Sequence, residues 1–328
     1  MKNFKEQNFS VQPFTVINPD ETKEIKNKSI SDKIDAQFLP ESGHLLANTR
    51  NVIGLIIKDE NSFGIPDVFG DLLDSKNEVL ASFTVNNLGI GRFSFVPEND
   101  EKYTVRIVYN NKESFFSINN IEQKGVVLST IQKENEVILS IKTNKLTLPS
   151  IKNKMYKVTL HNGKKLTNYP VKFNRKNTIY HIFETDLLSP GVNVFTLFDE
   201  LNNPIAERLA FNFRGVKTAT SDAFNVKKST DSLAISLSYK TINIAKLNNI
   251  SVSVLPTDTI AYKHHHNIVS YNYLQPYLKG EIENAQYYFN IINNTTKFHL
   301  DNLLITQGWS SYSWYNIFNQ SSKINYFF

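Results

Sequence analysis

None of the 328 residues is cysteine. That excludes disulfides, thiolate zinc sites, a cysteine nucleophile and an internal thioester. Long apolar runs are also missing, and no stretch approaches the roughly 18 continuous apolar residues of a membrane-spanning helix. No basic block or basic helix stands out, because 36 Lys and Arg are scattered among 31 Asp and Glu. The resulting charge of +5 offers nothing that tracks a phosphate backbone, which argues against nucleic-acid binding. The N-terminal "MKNFKEQNFSVQPF" lacks the apolar centre of a signal peptide and by itself reads as cytosolic.

A hydrophobic content of 41% with 20% charged residues belongs to a globular chain, and the length suits two or three domains. The dominant hydrophobic period is two. "VIGLIIKD" (52–59), "RFSFVP" (92–97), "KYTVRIVY" (102–109) and "EVILSIKT" (136–143) are β-branched or aromatic runs. "MYKVTLHNG" (155–163), "TIYHIFE" (178–184), "NVFTLFDE" (193–200) and "NISVSVLP" (249–256) continue the series. Turn residues separate them, among them Pro190-Gly191 and Asn202-Asn203-Pro204. Short strands at this spacing predict antiparallel sandwiches. Asn162-Gly163 predicts a two-residue hairpin, since both residues accept positive φ cheaply.

The fold expected is mainly β: tandem antiparallel sandwiches with a short C-terminal helical appendage. The polar stretch 20–33 reads as a linker, so residues 1–33 are the end of a preceding domain plus that linker. Sandwiches are expected over 34–121, 122–215 and 216–328, the last with a helical segment near 295–307. There Thr295 or Thr296 would cap the helix, and Gly308 sits where the residue after its C-terminus belongs. A shorter helical piece, bounded by Pro276, is expected within 267–280.

Candidate chemistry is sparse. Lys263-His264-His265-His266 looks like a metal cluster, but adjacent residues on an extended segment point to alternate faces, so a surface loop is the better reading. His44, His161, His181 and His299 stand alone. Asp59, Glu60, Asp67, Asp71 and Asp74 lack the spacing of a calcium loop and read as acidic turns between strands. "LGIGRF" (88–93) has half a dinucleotide fingerprint, but alternation continues through Arg92-Phe93-Ser94-Phe95, so Gly89 and Gly91 are hairpin residues. No nucleophile elbow, His-Glu-x-x-His or phosphate loop occurs, and no catalytic residue, cofactor or metal is expected. Trp309, Tyr312 and Trp314, in "DNLLITQGWSSYSW" (301–314), are the candidate partner or ligand contacts. They would serve either as an exposed aromatic platform or, the favoured reading, as an anchor locking a helix end onto a neighbouring sandwich.

Four stretches resemble one known family. Phe38-Leu39-Pro40-Glu41-Ser42-Gly43 resembles its Phe-x-Pro-Glu-Gly-Gly. Gly89-Ile90-Gly91-Arg92-Phe93-Ser94-Phe95-Val96-Pro97 resembles Gly-Met-Gly-x-Phe-x-Phe-x-Pro, with Tyr103 following. "SPGVNVFTLFDELNNPIAERLAF" (189–211) resembles the next signature, and "YLKGEIENAQYYF" (277–289) with "LDNLLITQGWSSYSW" (300–314) the last. The family comprises the tandem macroglobulin-like regions, related to the alpha-2-macroglobulin superfamily, of bacterial outer-membrane-associated proteins. These carry a downstream carboxypeptidase-regulatory-like domain and a plug domain of the TonB-dependent-receptor type. Ser42 departs from a usual glycine. Ser310-Ser311 replace a common Arg-Arg, which puts in doubt any anionic contact made there.

The resemblance implies an excerpt of a longer protein of the cell envelope, outer-membrane-associated on its periplasmic or surface side, with peripheral membrane association through regions absent here. It implies a non-catalytic scaffold or protein-binding region serving TonB-dependent receptor assemblies, with protein partners of the outer membrane or periplasm. Long antiparallel edges and inter-domain grooves are the expected contact surfaces. Two alternatives stand beside it: a peptidase inhibitor without a thioester, and a glycan-binding module using Trp309, Tyr312 and Trp314.

Overall fold

The computed structural model describes residues 33–163, 165–216, 223–239, 242–243, 245, 256 and 265–308. Residues 33–118 build a first sandwich. Its strands are β1 (Asp35–Pro40), β2 (Leu45–Leu46), β3 (Asn51–Lys58), β4 (Phe69–Leu73), β5 (Val79–Thr84), β6 (Ile90–Phe95), β7 (Tyr103–Tyr109) and β8 (Lys112–Ile118). One sheet has the order β1-β3-β6 and the other β5-β4-β7-β8, with every pairing antiparallel. Strand alternation supplies the core: Tyr103, Val105 and Ile107 point inward from β7 to meet Leu55, Ile57 and Phe93.

The second sandwich opens after β9 (Ile121–Glu122), which pairs in parallel with β2 and ties the connection back to the first. β10 (Val126–Gln132), β11 (Glu136–Thr143), the short α1 (Leu148–Ile151), β12 (Met155–His161) and β13 (Leu166–Lys172) follow. β14 (Thr178–Glu184), β15 (Gly191–Phe198) and β16 (Pro204–Asn212) complete it. Its sheets have the orders β10-β11-β14 and β13-β12-β15-β16. The turn after β12 closes from Asn162 to Lys165, one residue later than expected. Gly163 (φ 82°) takes the first turn position, while the Asn162 side chain accepts the Lys165 N–H at 2.9 Å. Gly89 (φ 67°) does turn the chain between β5 and β6, whereas Gly91 lies within β6, where a Cβ would meet the Thr84 carbonyl oxygen at 2.4 Å.

Beyond residue 216 the described residues hold a hairpin, β17 (Ala223–Lys228) with β18 (Leu233–Ser238), and a helical segment. The helices are α2 (Ile268–Tyr273), a 3₁₀ turn at Gln275–Tyr277, α3 (Tyr287–Asn290) and α4 (Asn294–Thr306). Asn293, not Thr295 or Thr296, caps α4. Its side chain accepts the Thr296 N–H and the Thr296 hydroxyl accepts the Asn293 N–H, both at 2.9 Å. Gly308 follows the C-cap Gln307 as expected, but it is required for space: a Cβ there would sit 1.9 Å from the Leu304 carbonyl oxygen.

The helical segment packs on the first two sandwiches. A third core joins Ile56, Leu88 and Ile90 of the first with Val192, Val194, Leu209 and Phe211 of the second, through Leu300, Leu303 and Leu304 of α4. β15 is consequently buried at all eight positions, with Phe195 and Leu197 facing its own sandwich and Val192 and Val194 facing the helices. Tyr288 is fully buried in this core, and its hydroxyl has no hydrogen-bond partner among the described residues. Tyr288→Phe removes that unpaired group and keeps the ring. The variant is expected to match or exceed the parent in stability by about 1 kcal/mol, and a clear loss in urea unfolding would show that the hydroxyl has a partner.

Candidate functional site

Four charged residues from distant parts of the sequence converge where the two sandwiches meet α4. Glu41 follows β1, Arg92 lies on β6, Arg208 on β16 and Asp301 on α4. The Arg208 Nε donates to Glu41 Oε1 at 2.7 Å, and the same oxygen accepts the Thr130 N–H at 3.0 Å. Arg208 Nη2 donates to Asp301 Oδ1 at 2.7 Å, and Arg92 Nη1 to Asp301 Oδ2 at 2.6 Å. Arg92 also lies over the Phe298 ring, 4.2 Å from its centroid. Arg208 Nη1 reaches the Leu209 carbonyl.

The arrangement is electrically balanced, two guanidinium groups against two carboxylates, and its centre sits almost out of water: the Arg208 side chain is 1% exposed and that of Glu41 3%, while Arg92 at the rim is 26% exposed. Burial raises the Glu41 carboxyl above its usual range, with Arg208 and the Thr130 N–H pulling it back. Arg208 stays charged because Asp301 and Glu41 outweigh its desolvation. Lys142, half-buried nearby, is lowered by desolvation and partly restored by Glu41. Such a network contributes little net stability over an apolar one, and its hydrogen bonds tie the first sandwich, the second sandwich and α4 together. Its chemistry is that of a lock.

Each member comes from one of the quoted signatures: Glu41 from "FLPE", Arg92 from "GIGR", Arg208 from "AERLA" and Asp301 from "LDNLL". The sequence reading gave none of them a role. The available signal was a charge set inside an apolar strand or helix, as in Arg208 between Ala206 and Leu209-Ala210.

The expected contacts Trp309, Tyr312 and Trp314 lie outside the described residues, as do Lys263 and His264. His266 Nδ1 is 3.2 Å from the Ser270 hydroxyl. Among the acids, Asp59 and Asp74 accept backbone N–H groups of their own turns, and Asp71 pairs with Arg106 at 2.7 Å. No group of metal-ligating side chains forms among the described residues. A cleft of about 410 Å³ lies beside the free edges of β1 and β8, lined by Phe38, Pro40, His44, Leu45, Ser117 and Ile118. No helix of the described residues is long and apolar enough to cross a membrane.

His161, His181 and His299 are not idle. His299 Nδ1 meets the Tyr287 hydroxyl at 2.6 Å, while His181 packs against Tyr169 and Phe183. Burial lowers all three below the ordinary imidazole range. Below about pH 6.5 the unfolded chain therefore takes up protons that the fold refuses, and stability falls until the folded values are reached. Urea midpoints at about pH 5.5 are expected below those at about pH 7.5, and His181→Phe should shrink the gap. Equal midpoints would refute this.

No family model and no curated protein matches the sequence. Among solved structures, the trypsin-activated alpha-2-macroglobulin of Escherichia coli is similar over 53% of this chain and 15% of its own, at 12% identity and a TM-score of 0.21. The Salmonella alpha-2-macroglobulin reacted with methylamine is similar over 63% of this chain and 20% of its own, at 8% identity and the same TM-score of 0.21. The chain thus spans a fifth or less of the length of either structure.

Proposed function

We propose that this chain is a rigid, non-catalytic scaffold segment of a bacterial envelope protein, holding or spacing a protein partner for an outer-membrane receptor assembly. The observation that carries the rigid part is the buried Glu41–Arg208–Asp301–Arg92 network, which fuses two sandwiches and a helix into one body. A hinged pair of domains would keep such charges hydrated at a sliding interface. The four ordered signatures that supply those charges support a macroglobulin-like region and an envelope location. The partner class we propose is protein, and the scattered charge argues against nucleic acid. A thioester-free peptidase inhibitor remains the second reading from the same resemblance, and glycan binding the third.

A chain without cysteine permits clean paired spin labelling. Labels at Lys76→Cys in the first sandwich and Lys176→Cys in the second, both exposed, are expected to give one narrow distance distribution. A broad distribution would remove the rigid-scaffold reading. Fractionation of the native cells with an antibody to this segment tests the location: a band confined to the cytosol would end the envelope proposal.

A further inference from the structure

The outer face and free edge of β14 make up a surface that the junction does not use. In the second sandwich β10 lies against β16, which closes one side. The other side is left open, with β13 at the end of one sheet and β14 at the end of the other. β13 is guarded: Pro170 removes a donor in mid-strand and Lys172 ends it. Two edges of the first sandwich are guarded too, β1 by Pro40 and β8 by Lys112-Glu113 at its start. β14, "TIYHIFE", has no proline, lysine or arginine, and β11 is its only strand neighbour among the described residues.

The outward side chains of β14 are Tyr180 and Ile182, 62% and 61% exposed, followed by Glu184. The register places Ile182 beside Ile138 and Ile138 beside Ile131, an apolar row that runs across the sheet and stops at the open edge. One step along, Glu184 stands opposite Glu136, a like-charged cross-strand pair. Lys133 approaches Glu136 at 4.0 Å, while Glu184 has no cation among the described residues. Like charges directly opposed are unfavourable, and a basic residue on the next strand would relieve them. Ile179, His181 and Phe183 face the core.

We infer that the β14 edge accepts an added antiparallel strand from a protein partner, one that sets a basic residue beside Glu184 and apolar residues beside Ile182 and Tyr180. Main-chain hydrogen bonds would supply affinity, and the alternate side chains the selection. The inference takes the protein nature of the partner from the scaffold reading, but the edge stands whether or not the two sandwiches are rigidly joined. The labelling experiment and the one below can therefore fail separately.

The probe is a fluorescein-labelled synthetic hexapeptide, Lys-Thr-Val-Thr-Val-Thr, whose antiparallel docking puts lysine beside Glu184. Saturable anisotropy is expected, with slower amide exchange confined to 178–184. Ile182→Lys, at an exposed position that leaves the core intact, is expected to weaken binding at least tenfold. Glu184→Lys is expected to reverse the preference in favour of the peptide with Glu in place of Lys. N-methylation of alternate peptide amides, on one set or the other, is expected to abolish binding. Two results would overturn the inference: no binding while the β14 amides already exchange slowly, which means the chain covers its own edge, or no binding while they exchange freely.

Discussion

Arg208→Met is expected to lower the unfolding free energy by about 3–5 kcal/mol, because it leaves the carboxylates of Glu41 and Asp301 buried without their shared cation. Both carboxylates lose a 2.7 Å partner at once. Asp301 retains Arg92, whereas Glu41 keeps only the Thr130 N–H. The deficit is electrostatic, not volumetric, so it should be recoverable. Adding Glu41→Gln to Arg208→Met removes the one carboxylate left without a cation, since Asp301 keeps Arg92, and should restore part of the loss. Urea unfolding of the single and double variants reads both quantities. A single variant within about 1 kcal/mol of the parent would mean that water reaches the junction.

Gly54→Val is expected to lower stability by about 3 kcal/mol through overpacking, and to act on one element in particular. Gly54 lies on β3 directly under α4, where a Cβ would stand 2.6 Å from Ile305 Cγ2 and 2.8 Å from Thr306 Cγ2. Valine needs that space and two methyl groups more, while its strand propensity is higher than that of glycine. The helix must therefore lift, or β3 must bend. Amide exchange should accelerate across 294–306 first, with the β10–β11–β14 sheet of the second sandwich little affected. Uniform acceleration across both sandwiches would show that α4 is not the element displaced.

The strands were readable because each buries one face, and a period of two records that directly. "EVILSIKT" and "TIYHIFE" coincide with β11 and β14, and "KYTVRIVY" differs from β7 by one residue. β13 left no such signal, since this edge strand carries a proline and polar residues that interior strands exclude. "NISVSVLP" (249–256) lies outside the described residues except for Pro256. The hairpin after β12 was readable as a turn but not to the residue, because the Asn162 side chain, accepting the Lys165 N–H, moves the glycine to the first turn position.

α4 shows the other limit. Its asparagine cap and apolar run announce a helix, yet Leu300, Asp301, Asn302, Leu303, Leu304 and Ile305 are all buried, so its C-terminal half is enclosed on every side. Nothing local says which surfaces enclose it. The network is less local still: Glu41 and Arg208 stand 167 positions apart and Arg92 and Asp301 209. Periodicity reports which face of an element leaves water, and so the sequence by itself determined the mainly β class, most of the strands and the helical segment. Which elements meet is fixed by packing and by the pairing of charges that cannot be buried alone. Only the tertiary structure could place α4 between two sandwiches, join four scattered signatures into one lock, and leave β14 with a single strand neighbour among the described residues.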